Sequence, residues 1–370
     1  MKNVLTTSII IFVFASCGES VVKRMPIDSE ATPETVALYH RLFDLMEKGI
    51  MLGHQDDPLY GHGWYGIEGG SDVKTITGDY PAVMGFELGH IEHDVPYSLD
   101  SVYFEQIKRH VREHYARGGI STFSWHADNI ATGNSTWDCK QDTVVRAILL
   151  GGSLHQDYLA WLNRLGDFFL DLRDDNGQLI PVIFRMYHEH TGDWFWWGSK
   201  QATPEEYKQL WMMTSDYLRK VKGVHNLLYA YSSSNTQSKS HYLERYPGDA
   251  YVDIVGFDHY LKGRTSENVE QYKVDFERNV QIVSEYAAQS GKLPIVGETG
   301  EESIWDTKYF TDIVYPIISK YELGWILFWR NAWDKPDHYY LPYSGHPSEL
   351  DFKKFVDAPL ILMNHDIVEQ

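Results

Sequence analysis

Arg185-Met-Tyr-His188-Glu189-His-Thr-Gly192-Asp-Trp194-Phe-Trp196-Trp197-Gly198 sets a carboxyl group directly after a strand-forming run, Leu179-Ile-Pro-Val-Ile-Phe, and follows it with three tryptophans. Indole faces stack on the apolar C–H faces of pyranose rings, while carboxyl groups transfer protons or attack an anomeric carbon. Together they are the chemistry of a site that holds and cuts a sugar chain. The plainer reading is a Trp-rich core segment beside a salt-bridged glutamate. Against it, the aromatics come after the strand, in a loop, where burial alone rarely needs so many.

Such a carboxylate needs a scaffold, and the chain offers a regular one. Eight runs rich in Val, Ile and aromatics each end in polar residues: Gly49–Asp56, Pro81–Leu88, Gly119–His126, Ile180–Glu189, Leu227–Ser233, Val252–Tyr260, Leu293–Thr299 and Leu323–Arg330. Nearly continuous apolar runs are typical of strands buried on both faces. Helical spacing fills the gaps at Pro33–Lys48, Asp100–Arg117, His155–Arg173, Pro204–Lys222, Ser266–Gln289 and Asp306–Tyr321. Thr32 before Pro33 reads as an N-cap, and Thr203-Pro204-Glu-Glu206 as a capping box. Strands alternating with helices imply parallel pairing, and eight units predict a single-domain α/β fold, a (β/α)8 TIM barrel. A doubly wound open sheet is the rival, but no Gly-rich dinucleotide turn is visible.

In such a barrel, chemistry sits at the C-terminal ends of the strands. Those ends carry His54, Glu87 and His90, His126, His188 and Glu189, Asp258 and Tyr260, Glu298, then Trp329 and Arg330. A second glutamate therefore ends the seventh run, in Pro294-Ile-Val-Gly-Glu298-Thr-Gly300, opposite the one that ends the fourth. The pattern R-x-x-H-E-x-x-G-x-W-x-W-W-G on the fourth, with V-G-E on the seventh, resembles glycoside hydrolase family 26, mostly β-mannanases. The resemblance runs from about Gly49 to Trp333.

The resemblance implies a retaining hydrolase of β-1,4-mannosidic bonds, working without a cofactor or metal. Glu189 would be the general acid/base and Glu298 the nucleophile. His188 and Tyr260 would hydrogen-bond the nucleophile and aim it. His126 and Trp329 would line the subsite of the attacked sugar, Trp194 would stack on the leaving-group side, and Arg330 would reach the next sugar out. The physics is compatible with this pairing. Retention needs two carboxyl groups about 5–5.5 Å apart, one ionised and one protonated. A glutamate packed among tryptophans and near another carboxylate should hold its proton towards neutrality.

Bulk properties narrow the partners. Acidic residues outnumber basic ones 52 to 33, a formal charge of −19, which repels phosphate backbones and argues against nucleic acid. The expected partner is a neutral polysaccharide or oligosaccharide, and the chain is read as a monomer. Lys2, the apolar stretch Val4 to Phe14 and Phe14-Ala15-Ser16-Cys17 resemble a bacterial lipoprotein signal. Residues 1–17 are thus expected to be a signal segment with lipidated Cys17, 18–32 a tether and 33–370 the catalytic domain. This would make the protein exported and membrane-anchored, facing the periplasm or the cell surface. The second cysteine, Cys139, then has no intramolecular partner.

Two other classes compete. Histidines at strand ends suggest a metal-dependent barrel hydrolase, but the first run offers Gly53-His54-Gln55-Asp56 rather than an H-x-H pair, and no Lys ends the fourth. A non-catalytic sugar-binding lipoprotein would need stacking surfaces but not both glutamates. Within the hydrolase reading, β-glucan and β-1,3-xylan remain alternative substrates, and endo attack or release of mannobiose from chain ends is left open.

Overall fold

A computed structural model describes residues 24–368 of the chain. Eight parallel strands follow one another round a closed barrel: β1 (Ile50–Gln55), β2 (Val83–Glu87), β3 (Ile120–Ser124), β4 (Val182–Arg185), β5 (Leu227–Ser233), β6 (Ile254–Leu261), β7 (Leu293–Glu301) and β8 (Trp325–Phe328). Pairing of β8 with β1, Met51 beside Trp325 and His54 beside Phe328, closes the ring. The (β/α)8 barrel predicted from the alternation is the fold observed.

Two apolar layers hold it. Met51, Val83, Ile120, Ile183, Leu228, Ile254, Ile295 and Leu327 point into the lumen, joined by Leu38, Leu42 and Leu45 of the leading helix Pro33–Met46. A larger cluster fills the space between the strands and the outer helices. Each fully buried aliphatic or aromatic side chain contributes about 1.5–3 kcal/mol. The strand runs are apolar throughout because they face both layers.

The helix starts follow local chemistry. Thr32 accepts a hydrogen bond from the Thr35 N–H. Thr203 and Glu206 exchange bonds in a full capping box at the head of Pro204–Asp216. Several short elements had no signal strong enough to read: helices Asp72–Thr77, Val144–Ile148, Lys239–Leu243 and Glu349–Val356, and a terminal strand Ile361–Leu362 beside β1. The long connection from Ala127 to Leu154 contains the second of these helices.

The segment expected to be a tether is fastened to the barrel over its described part. The Ile27 N–H donates to Asp253 at 2.7 Å, Asp28 pairs with His225 at 2.8 Å, and Arg219 donates to the Ile27 carbonyl. The Cys17 lipidation site lies outside the described residues. Among the described residues, no helix is long and apolar enough to cross a membrane.

Candidate active site

The strand ends converge on a cleft of about 780 Å³ whose walls include His126, Trp137, His188, Glu189, Trp194, Phe195, Tyr260, Glu298, Trp305, Trp329 and Tyr340. Of the eight residues given a catalytic or sugar-binding role, seven are on this wall and Arg330 is not. It is tied behind it, to Asp100 at 2.7 Å and the Tyr60 hydroxyl at 3.1 Å. In that position its charge is paired with Asp100.

Glu298 stands on β7, and β6 and β7 are paired so that Asp258 lies beside it. A register shift between Phe257 and Asp258 produces that alignment. The Tyr260 hydroxyl donates to Glu298 Oε2 at 2.6 Å. Arg185, the last residue of β4, donates one guanidinium nitrogen to Glu298 Oε1 and the other to Asp258 Oδ2. Ser232 on β5 donates to the remaining Asp258 oxygen at 2.6 Å. Tyr260 and Arg185, from two strands, thus hold the Glu298 carboxylate, while Asp258 and Ser232 fix the guanidinium.

His188 does not make the bond expected of it. Its Nε2 is 3.9 Å from Glu298 and instead meets His126 Nε2 at 3.2 Å. The reason is electrostatic. Burial, then the charges of Arg185 and His126, push His188 well below the ordinary imidazole value, so it is neutral. Burial works against protonation of His126 too, but the Glu87 carboxylate 2.7 Å from its Nδ1 outweighs it and raises the pKa. The His126 and His188 rings thus bond each other, leaving Arg185 to serve Glu298. Glu87, also held by Ser124 and the His126 N–H, is drawn down to about 2: burial opposes ionisation, but His126 prevails.

Glu189 reaches the cleft through a sharp reversal. Tyr187 and Glu189 both have positive φ, 46° and 55°, so β4 stops at Arg185 and does not run on to Glu189. Non-glycine residues in that region carry about 1–3 kcal/mol of strain each, held by the surrounding packing. The Glu189 N–H donates to the Ser232 carbonyl, and the Trp194 indole N–H donates to Glu189 Oε2 at 2.6 Å. Burial, then the charges of Asp258 and Glu298, push Glu189 well above the carboxylate range; the Trp194 bond and Arg185 pull weakly the other way. Oxygens of Glu189, Asp258 and Glu298 lie within 4.8 Å of one another. Three carboxyl groups so close could hold a cation, but the guanidinium of Arg185 already compensates two of them.

The three tryptophans divide. Trp194 is 37% exposed and opens on the cleft, whereas Trp196 and Trp197 are fully buried. Their indole N–H groups donate to the Ala127 and His188 carbonyls. They brace the loop that carries Glu189 and are not on the cleft wall. Other aromatic walls come from places the sequence did not mark: Trp137, stacked 5.5 Å from His126, Trp305 after β7, and Tyr340, edge-on to Tyr260. Arg185 and Asp258 were visible as a strand-end Arg and Asp, but only the register shows what they hold.

Two apposed carboxyl groups thus sit in an aromatic cleft at the mouth of a parallel barrel, where such folds place their chemistry. The chain belongs to glycosyl hydrolase family 26, whose model matches residues 27–319. It is 31% identical over 376 residues to a mannan endo-1,4-β-mannosidase of Bifidobacterium adolescentis, covering 95% of this chain and 37% of that protein. A Bacillus subtilis mannan endo-1,4-β-mannosidase is 28% identical over 226 residues, 56% of this chain and 58% of the other. The chain thus spans well under two thirds of these relatives' length. Among solved structures, a β-mannanase of the family from Bacteroides ovatus superposes with a TM-score of 0.88 at 44% identity, covering 92% of this chain and 98% of that one. A modular endo-β-1,4-mannanase from Cellulomonas fimi gives 0.83 at 30% identity, over 93% and 78% of the two chains.

Proposed function

We propose that the protein hydrolyses β-1,4-mannosidic bonds with retention of configuration. Glu298 attacks the anomeric carbon and forms a glycosyl ester, while Glu189 protonates the departing oxygen. Glu189, then ionised, takes a proton from the water that cleaves the ester. The observation that carries this reading is the asymmetry of the pair. Glu298 accepts from both Arg185 and Tyr260, whereas burial and two carboxylate neighbours favour the protonated form of Glu189. The mannan endo-1,4-β-mannosidases and β-mannanases among the relatives support the choice of sugar.

In this reading Tyr260 aims Glu298, His126 and Trp329 face the attacked sugar, and Trp194 faces the leaving group. His188 orders His126 in place of Glu298, and Arg330, held by Asp100 and Tyr60, reaches towards the next sugar out. No cofactor takes part, the enzyme acts as a monomer, and the N-terminal segment exports and anchors it through Cys17. The test is product chromatography over time on mannohexaose, galactomannan, cellohexaose and mixed-linkage glucan, with Glu298→Ala as control. Mannan-specific products that vanish in the variant are expected. Mannobiose alone from the first time point would indicate chain-end attack, and a ladder internal cuts. Binding without release from any of the four would favour a glycan-binding protein.

A further inference from the structure

Away from the cleft, a turn after β2 and the start of the long loop after β3 bring four metal-type donors together. Oxygens of Glu92 and Asp128 and a ring nitrogen of His93 lie within 4.8 Å of one another. His93 Nε2 is 2.8 Å from Asp128 Oδ2 and 3.8 Å from Glu92 Oε1, and His90 Nε2 approaches the same Asp128 oxygen at 3.8 Å. We propose that His90, Glu92, His93 and Asp128 bind one divalent transition-metal ion of the zinc class.

The geometry favours an ion over a simple ion pair. One imidazole satisfies Asp128; a second ring directed at the same oxygen, beyond hydrogen-bond reach, has no part in such a pair. At zinc–ligand bonds of about 2.0–2.1 Å, tetrahedral donors stand about 3.3 Å apart, so the three distances given above each differ from that by about 0.5 Å. Two imidazoles with two carboxylates suit zinc, whereas calcium takes six to eight oxygens. The backing is already fixed: buried Glu92 accepts from the Trp125 indole at 2.9 Å and the Asp128 N–H at 2.8 Å, keeping its other lone pairs available. His90 and His93 are each about one-third exposed at the side chain, which leaves an entry path.

An ion here would clamp the turn after β2 to the loop after β3. That loop begins next to His126 and carries Trp137, both on the cleft wall. Each coordinating nitrogen must be free of its proton, so binding releases protons.

The test uses the chain without a histidine tag, stripped with a chelator and titrated with zinc chloride by calorimetry, then with cobalt(II) by visible absorption. Expected are one saturable equivalent of zinc, the intense visible bands of four-coordinate cobalt, and a thermal midpoint that rises with zinc. A His90→Ala/His93→Ala double variant should lose all three while keeping the native circular dichroism spectrum. Asp128→Asn supplies a second check should the double variant fold poorly. Absence of saturable binding in the unmodified chain, or undiminished binding in the variants, would overturn the site.

Discussion

Glu189, in the loop after β4, and Glu298, on β7, are the same residue type, and their neighbours alone give them different tasks. Glu298 accepts from a guanidinium and a phenol; Glu189 accepts from one indole and faces two other carboxyl groups. Replacing Glu189 by Gln should lower kcat/KM on mannotetraose by about 10²–10⁴-fold. A dinitrophenyl mannobioside, whose leaving group needs no proton, should form its glycosyl–enzyme almost as fast as before. Equal losses on both substrates would count against the acid role. Trp194→Phe tests the tuning. The acid must be protonated, so activity falls as pH rises through the Glu189 pKa. The indole bond lowers that pKa, and its removal should move the basic limb of kcat/KM to higher pH. A limb that stays put or moves down would show that Trp194 does not set it. Both glutamates were legible from sequence because a strand-end carboxylate beside aromatics has few other uses. Arg185 stood inside the same motif, but a strand Arg could face either layer, and its bidentate hold on Glu298 and Asp258 depends on strand register.

At the scale of the element, the loop after β4 explains both a success and a miss. The run of strand-formers located β4, yet the strand ends four residues before Glu189 because Tyr187 and Glu189 take left-handed backbone. Nothing in the local propensity of Tyr or Glu announces that. Trp196 and Trp197 follow from it: a reversed, strained loop needs rigid packing beneath it, and buried indoles with paired N–H groups supply it. Trp197→Ala should cost about 3–5 kcal/mol through the cavity it leaves, with an orphaned His188 carbonyl adding to the loss. Denaturant unfolding would measure it, and a cost under about 1 kcal/mol would refute the bracing role. The long amphipathic helices were readable from their period and caps. The four short ones, of five to eight residues, were not, because so few turns present little periodicity.

For the whole molecule, eight apolar runs sufficed to give the closed barrel, since both faces of every strand are covered. What composition did not convey is how the chain ahead of the first helix sits. Residues 18–32 read as a short tether, yet Asp28 and the Ile27 backbone find partners two hundred residues away on the barrel. A chain starting at Pro33 should therefore be less stable than one starting at Arg24 by about 1–3 kcal/mol, because Asp253 loses a donor at a buried oxygen. Thermal unfolding of the two chains would show it, and identical midpoints would mean the segment is held but contributes nothing. The same long-range logic applies to the site, where β4 to β7 supply Arg185, Ser232, Asp258 with Tyr260, and Glu298 to one network. The most direct measurement of what that network does is mass spectrometry of the protein treated with a 2-deoxy-2-fluoro mannobioside that reacts quickly and hydrolyses slowly. One covalent sugar on the peptide that contains Glu298 is predicted. A sugar carried by Glu189 instead, or turnover of the probe with inverted configuration and no adduct, would contradict the account.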